Sequence, residues 1–200
     1  MLSIKERQKR LGYLGYYTGK IDGIEGRQTR EAYRKLQDDY FYREKDKDGI
    51  YGRNTEILLK NAYNVKFICK NFTLKEFHCH CDGKYCTGYP VELDTILLAN
   101  LQVYRNGLGV PMNITSGLRC SSWNAKFTTS KNSRHTKGKA IDFYTKYSKD
   151  KSYRQRIINY WINEFVESRY GYCNGYGNLR GKISYPSTPK MGTSTHIDVI

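Results

Sequence analysis

The 200-residue chain has no long apolar run, few acids and few histidines. Stretches such as Ile96 to Asn100 and Ile197 to Ile200 fall far short of the roughly 18 residues needed to cross a bilayer, so neither a span nor stable membrane association is expected. An apolar leader is also missing. Met1-Leu2-Ser3-Ile4-Lys5-Glu6-Arg7 places charges where a secretory signal carries its hydrophobic region, which predicts a cytoplasmic setting and reduced thiols for the six cysteines. Only 19 acids face 34 Lys and Arg, a net charge of +15. That excess asks for an anionic partner, and nucleic acid, anionic lipid and phosphate-bearing wall polymers all qualify. Apolar content is not lacking: 38% hydrophobic and 14% aromatic residues suffice for a core and exclude global disorder.

The first sixty residues contain a repeat. Asp22-Gly23-Ile24-Glu25-Gly26-Arg27-Gln28-Thr29 recurs as Asp48-Gly49-Ile50-Tyr51-Gly52-Arg53-Asn54-Thr55, the pattern D-G-I-x-G-R-x-T twice. Asp-Gly favours a tight turn with positive φ, and the Thr is expected to cap the next helix. Helical spacing then appears in Ala32, Tyr33, Leu36 and Tyr40, and again in Ile57, Leu58, Leu59 and Ala62, while Ile4, Leu11 and Leu14 suggest an opening helix. This predicts a three-helix unit over residues 1–62. Together with Gln8 and Leu11, which fit a preceding Gln-x-x-Leu element, the repeat resembles the peptidoglycan-binding domain. That resemblance implies glycan or stem-peptide binding through Asp22, Gly23, Gly26, Thr29, Asp48, Gly49, Gly52 and Thr55. On the other reading these residues only build turns.

Beyond residues 60–68 the pattern changes, and residues 67–200 form the second expected unit. Leu93 to Asn106 and Ser152 to Glu167 read as helices; residues 110–116, 139–144 and 195–200 read as strands or turns into strands; Gly171 to Gly181 reads as a loop. Helices interleaved with strands make the fold class α+β. Residues 63–200 also carry most of the charge, +11 against +4 for residues 1–62.

Two of the four histidines stand beside acids in polar, Gly-punctuated contexts: His135 with Asp142, and His196 with Asp198. A catalytic zinc site takes three protein ligands and leaves a position for water, so His135, Asp142 and His196 form a sufficient set. The order S-x-H-x-x-G-x-A-x-D, from Ser133 to Asp142, followed by a terminal H-x-D, resembles the D-Ala-D-Ala carboxypeptidase family of zinc peptidases. Thr115-Ser116-Gly117-Leu118-Arg119 and Asn124 also fit that family's pattern. The resemblance implies the fold shared by hedgehog domains and these peptidases, with one Zn²⁺ on His135, Asp142 and His196. In such a site Arg119 is the candidate partner of a carbonyl oxyanion or of a substrate carboxylate, and Ser116 and Ser133 are candidate substrate contacts. The positions where related enzymes carry a base hold Thr193 and Ser194. On a strand, residues i and i+2 share a face, so Asp198 is either the general base or the carboxylate that orients a metal-bound imidazole.

His78-Cys79-His80-Cys81-Asp82-Gly83-Lys84-Tyr85-Cys86 crowds thiols and imidazoles and fits a structural metal, a disulfide or ordinary packed cysteines. The tyrosines of residues 170–176 are expected at the core and rim. Both units point to peptidoglycan. The expected function is a monomeric zinc peptidase of the wall, a carboxypeptidase or an L-Ala-D-Glu-type endopeptidase, stored like a phage endolysin in the host cytoplasm until release. Anionic wall polymers are expected to help retain it. The alternative is a zinc-containing wall-binding protein without activity. No nucleic-acid recognition motif accompanies the charge.

Overall fold

The computed structural model describes residues 1–128, 130–180, 182–184 and 191–200. Three helices open the chain. α1 (Ile4–Leu14) starts where the Ser3 hydroxyl accepts the Glu6 N–H and ends at Gly15, whose φ of 92° suits a residue without Cβ. α2 (Arg27–Tyr40) and α3 (Arg53–Ile68) each come directly after one copy of the repeat's turn. The caps are Gly26 and Gly52 rather than the threonines. Thr29 and Thr55 lie inside the first helical turn, buried, and their hydroxyls donate back to the carbonyls of Ile24 and Ile50. Each closes its own turn instead of capping a helix.

α3 runs through the expected division at residues 62–67, because its apolar face does not stop there: Val65 is buried with Leu58, Leu59 and Ala62. The side-chain amide of Asn61 donates to the Val91 carbonyl and accepts the Leu93 N–H, which ties the helical unit to the second part of the chain. One hydrophobic core runs from Leu11 to Val199.

The second part pairs α4 (Thr95–Leu108) and α6 (Lys151–Glu164), with a short α5 (Ser121–Asn124), and a six-stranded antiparallel sheet. The strands are β1 (Asn113–Ser116), β2 (Ala140–Tyr144), β3 (Ser168–Cys173), β4 (Tyr176–Leu179), β5 (Lys182–Ser184) and β6 (Thr195–Val199), in the order β1-β2-β6-β3-β4-β5. β3 and β4 form a hairpin turning on Asn174-Gly175, where a loop is expected from the glycine-rich composition; Gly181, the last residue of that expected loop, lies outside the described residues. The two strand glycines have a packing reason. A Cβ on Gly171 would meet Ile158 at 3.0 Å, and one on Gly177 the Tyr170 hydroxyl at 2.6 Å.

Alternation on β2 and β6 divides labour between the faces of the sheet. Ile141, Phe143, Ile197 and Val199 point into the core, where Trp161 and Tyr104 are fully buried. Tyr104 donates to the Ile157 carbonyl at 2.7 Å and Trp161 to the Asp198 carbonyl at 3.2 Å, which fixes α4 and β6 against α6. Asp142, His196 and Asp198 therefore share the opposite face, with Asp142 directly across from His196.

Candidate metal centre

That opposite face floors a cleft of about 920 Å³. β2 supplies Asp142 and β6 supplies His196; His135 arrives on a short 3₁₀ turn, Arg134–Lys137. Gly138 ends this turn with φ of 70°, and a Cβ there would lie 2.0 Å from the Glu92 carbonyl oxygen, so the motif's glycine is what lets the chain double back from His135 into β2. Gly117 has the same kind of duty: a Cβ would come within 2.6 Å of the Phe77 backbone, while its carbonyl reaches His135.

Three acceptor atoms converge. His135 Nδ1 donates to the Gly117 carbonyl at 2.7 Å, which leaves Nε2 as a lone pair. His196 Nε2 donates to Asp198 Oδ2 at 3.3 Å, which leaves Nδ1 as a lone pair. Those two nitrogens are 3.3 Å apart, and they stand 3.3 and 2.7 Å from the same Asp142 oxygen, Oδ1. Lone pairs facing one another in a buried site repel unless a cation or a proton lies between them. Burial would raise the Asp142 carboxyl, but the two imidazoles outweigh it and hold the group well below the usual carboxylate range. Burial likewise disfavours a charged His196, yet hydrogen bonds to Asp142 and Asp198 bring it up to about 8, so the proton held between Nδ1 and Asp142 is the one that a bound cation would displace. His135 is pushed down, chiefly by burial. The donor set of two imidazoles and one carboxylate suits a divalent metal, and the geometry fits one.

The remaining residues hold this triad in place. Arg119 donates from Nη2 to Asp142 Oδ2 at 2.6 Å and from Nε to Ser116 Oγ at 2.9 Å, so Ser116 positions the guanidinium rather than standing free. Ser133 lines the cleft and caps the His135 turn through its carbonyl, which accepts from the Thr136 N–H and hydroxyl. Asn124 lies buried, its amide donating to the Ser130 carbonyl and holding the loop beside the cleft. Asp198 shares the face of His196, as the strand period predicts, but its carboxylate meets the ring at Nε2, the nitrogen turned away from the triad, and is also paired with Arg169. Tyr172 stacks on His196 with ring centroids 4.4 Å apart, and Tyr170, Trp123, Phe127 and His80 complete the walls. Sequence reasoning alone misses Arg169, Tyr172 and His80 as site residues. The available signal is the alternation of Tyr170 and Tyr172 on a strand, hidden when that stretch is read as a loop.

In the N-terminal unit each copy of the repeat's turn is joined internally by a buried glutamine. Gln8 Nε2 donates to Asp22 Oδ1 at 2.9 Å and to the Ile24 carbonyl at 3.1 Å, and Gln8 Oε1 accepts the Gly23 N–H at 2.9 Å. Gln37 repeats this with Asp48, Ile50 and Gly49 at 3.0, 3.2 and 2.7 Å. Asp22 and Asp48 also accept the Ile24 and Ile50 N–H groups, each at 2.9 Å. What faces solvent is Ile24 and Ile50, and a shallow groove of about 410 Å³ between the two turns, walled by Arg27, Arg30 and Arg34.

Comparison with known proteins matches residues 2–59 to a putative peptidoglycan-binding domain and residues 70–170 to the peptidase M15 family. Over 67 residues the chain is 39% identical to the spore cortex-lytic enzyme of Bacillus subtilis (strain 168), a stretch covering 32% of this chain and 21% of that enzyme. The chain thus spans about a fifth of that relative's length. Since the peptidase match takes in half of the sequence, with His135 and Asp142 inside it, the chain belongs to the peptidase M15 family.

Proposed function

We propose that this chain is a zinc-dependent peptidoglycan hydrolase of the endolysin type, cutting an amide of the stem peptide or its cross-link. The carrying observation is the convergence of His135 Nε2, Asp142 Oδ1 and His196 Nδ1, three atoms able to ligate a metal, at the floor of an open cleft. These three side chains would hold the ion. Bound there, zinc would bring a coordinated water toward neutral pKa and polarise a peptide carbonyl.

The other roles belong to the protein's own groups. Arg119, anchored by Asp142 and Ser116, presents a fixed cation to the carbonyl oxygen or to a terminal carboxylate of the substrate. Asp198, held by Arg169, keeps His196 in the tautomer whose Nδ1 faces the triad; the geometry favours this orienting role over that of general base. Ser133 and the aromatic rings of Tyr172, Trp123 and Phe127 offer contacts to the peptide. The N-terminal unit keeps the enzyme on the wall, and the +15 charge adds affinity for anionic wall polymers. Storage in a host cytoplasm before release to the wall completes the endolysin reading.

Purified peptidoglycan incubated with the full chain should release free amino and carboxyl ends, with chelation stopping the release and zinc restoring it. Mass spectrometry of the products identifies the bond. Wall binding with no zinc-dependent release would instead support the non-catalytic alternative, which the Thr193-Ser194 pair, offering no carboxylate or imidazole as a base, keeps in view.

A further inference from the structure

Four thiols take no part in the proposed reaction and yet lie together. Cys79, Cys81, Cys86 and Cys120 bring their sulfurs within 4.8 Å of one another, on a turn built by Asp82 and Gly83, both at positive φ, and on the loop after β1. None is in a disulfide, and Cys81 and Cys86 Sγ stand 3.4 Å apart as separate thiols. Sulfurs around a tetrahedral zinc, at about 2.3 Å from the metal, sit about 3.8 Å from each other, close to this arrangement. Two backbone N–H groups point at the sulfurs: Cys120 N donates to Cys79 Sγ at 3.3 Å and Gly88 N to Cys86 Sγ at 3.4 Å. Such donors favour thiolate over thiol.

The other cysteines give the contrast. Cys69, alone in the core, has its thiol pushed up to about 12 by burial. Four convergent soft donors leave no coordination position for water, which marks a structural site rather than a catalytic one.

We propose that Cys79, Cys81, Cys86 and Cys120 bind a second, structural zinc ion, and that this ion fixes two cleft residues, His80 and Arg119. The placement of those residues carries the second half. His80 sits between two of the ligands and lines the cleft, while Cys79 and Cys81 belong to the cluster. Arg119 immediately precedes Cys120 and donates to Asp142. Binding would release the thiol protons and clamp the turn at residues 79–86 to the loop at residue 120.

Metal analysis of the full chain, purified under reducing conditions, tests this. The wild type should hold about two zinc ions per chain, and both His135→Ala/His196→Ala and Cys81→Ser/Cys86→Ser about one each. Cobalt loaded into the histidine double variant should give thiolate-to-cobalt charge-transfer absorption, since only the sulfur site remains intact. In the cysteine double variant, peptide release should persist at a KM raised about 10-fold, with the triad metal retained, because the triad is intact and its flanking residues are loosened. A histidine double variant that binds no metal, reacts at all four thiols in its native state, or has an intact mass two hydrogens short for a disulfide would overturn the proposal. Should the cysteine variant fail to fold, the cobalt spectrum of the histidine variant still decides. That readout does not depend on peptide release, so it stands or falls apart from the hydrolase reading.

Discussion

At Gln8 and Gln37 donors meet acceptors, whereas at His135, Asp142 and His196 acceptors meet acceptors. Both kinds of cluster centre on buried polar side chains and are built from sequence motifs, yet each glutamine finds its opposites within the protein, down to the Gly23 and Gly49 N–H groups. The triad does not: once Gly117 and Asp198 have taken the outward-facing ring protons, three lone pairs remain turned inward. A polar cluster that closes on itself is architecture, worth stability because every buried group is paired. One that ends in like-facing acceptors is unfinished, and its completion comes from outside. The distinction explains why a repeat that resembles a binding motif turns out to hold its most regular residues inside the turns, and why a shorter motif in the second unit makes a site.

The comparison breaks most visibly if the triad is emptied. Replacing His135 or His196 by Ala should remove the metal and lower peptide release by about 10³-fold or more, the range in which loss of a transition-state electrostatic partner is felt. Wild-type protein should also melt earlier in chelator, by the equivalent of about 2.7 kcal/mol for a metal present at 100 times its Kd, and the histidine variants should show no such response from the triad. Gln37→Leu should do the converse. It strands the buried Gly49 N–H and takes one donor from the exposed Asp48, at about 1–3 kcal/mol, and its destabilisation should be the same with and without chelator. A chelator-dependent Gln37→Leu defect would erase the difference between the two clusters.

Smaller effects separate roles within the triad. Arg119→Lys keeps the charge but loses the fork that spans Ser116 and Asp142, so a fall of about 10²-fold is expected. A fall in kcat assigns the guanidinium to the oxyanion; a rise in KM assigns it to a substrate carboxylate. Asp198→Asn should weaken metal binding about 10- to 100-fold while turnover returns at saturating zinc. Turnover that stays lost with the metal bound would make Asp198 the base after all.

How much of the molecule is legible in its sequence depends on whether the information is local. His135, Asp142 and His196 are readable because histidine is scarce and the intervening glycine has a fixed geometric duty. Helices α1, α2, α4 and α6 announce themselves by apolar spacing, with Asp94 and Asp150 as caps of the last two. Arg169 is not readable, because its partner Asp198 is chosen by the register of β3 on β6. Cys120 is missed for the same reason, since its approach to Cys79 results from loop closure over a long separation. Gln37 lacks the Leu that makes Gln8 recognisable, and only the folded repeat shows the two residues to be equivalent. The division near residue 62 has no mark in the helix itself: composition changes there, but the buried face of α3 runs on to Val65.

The smallest effect tests whether the glutamine clusters are closed in charge as well as in hydrogen bonds. Gln8 Nε2–H and the Ile24 N–H both donate to Asp22 and hold its carboxyl below the ordinary range, the Gln8 bond contributing most. A carboxylate whose pKa is depressed on folding adds stability above its unfolded pKa of about 3.9 and loses it as the pH falls through the folded value. Asp22→Asn keeps an acceptor for the same two donors but no charge. At pH 7 the variant should therefore melt slightly below the wild type, and the gap should close as the pH is lowered through the acid range. Because Asp22 is exposed, salt should shrink the gap as well. A gap that persists unchanged in acid would mean that Asp22 contributes through the shape of its turn, and that the Gln8 cluster, unlike the triad, holds no charge of consequence.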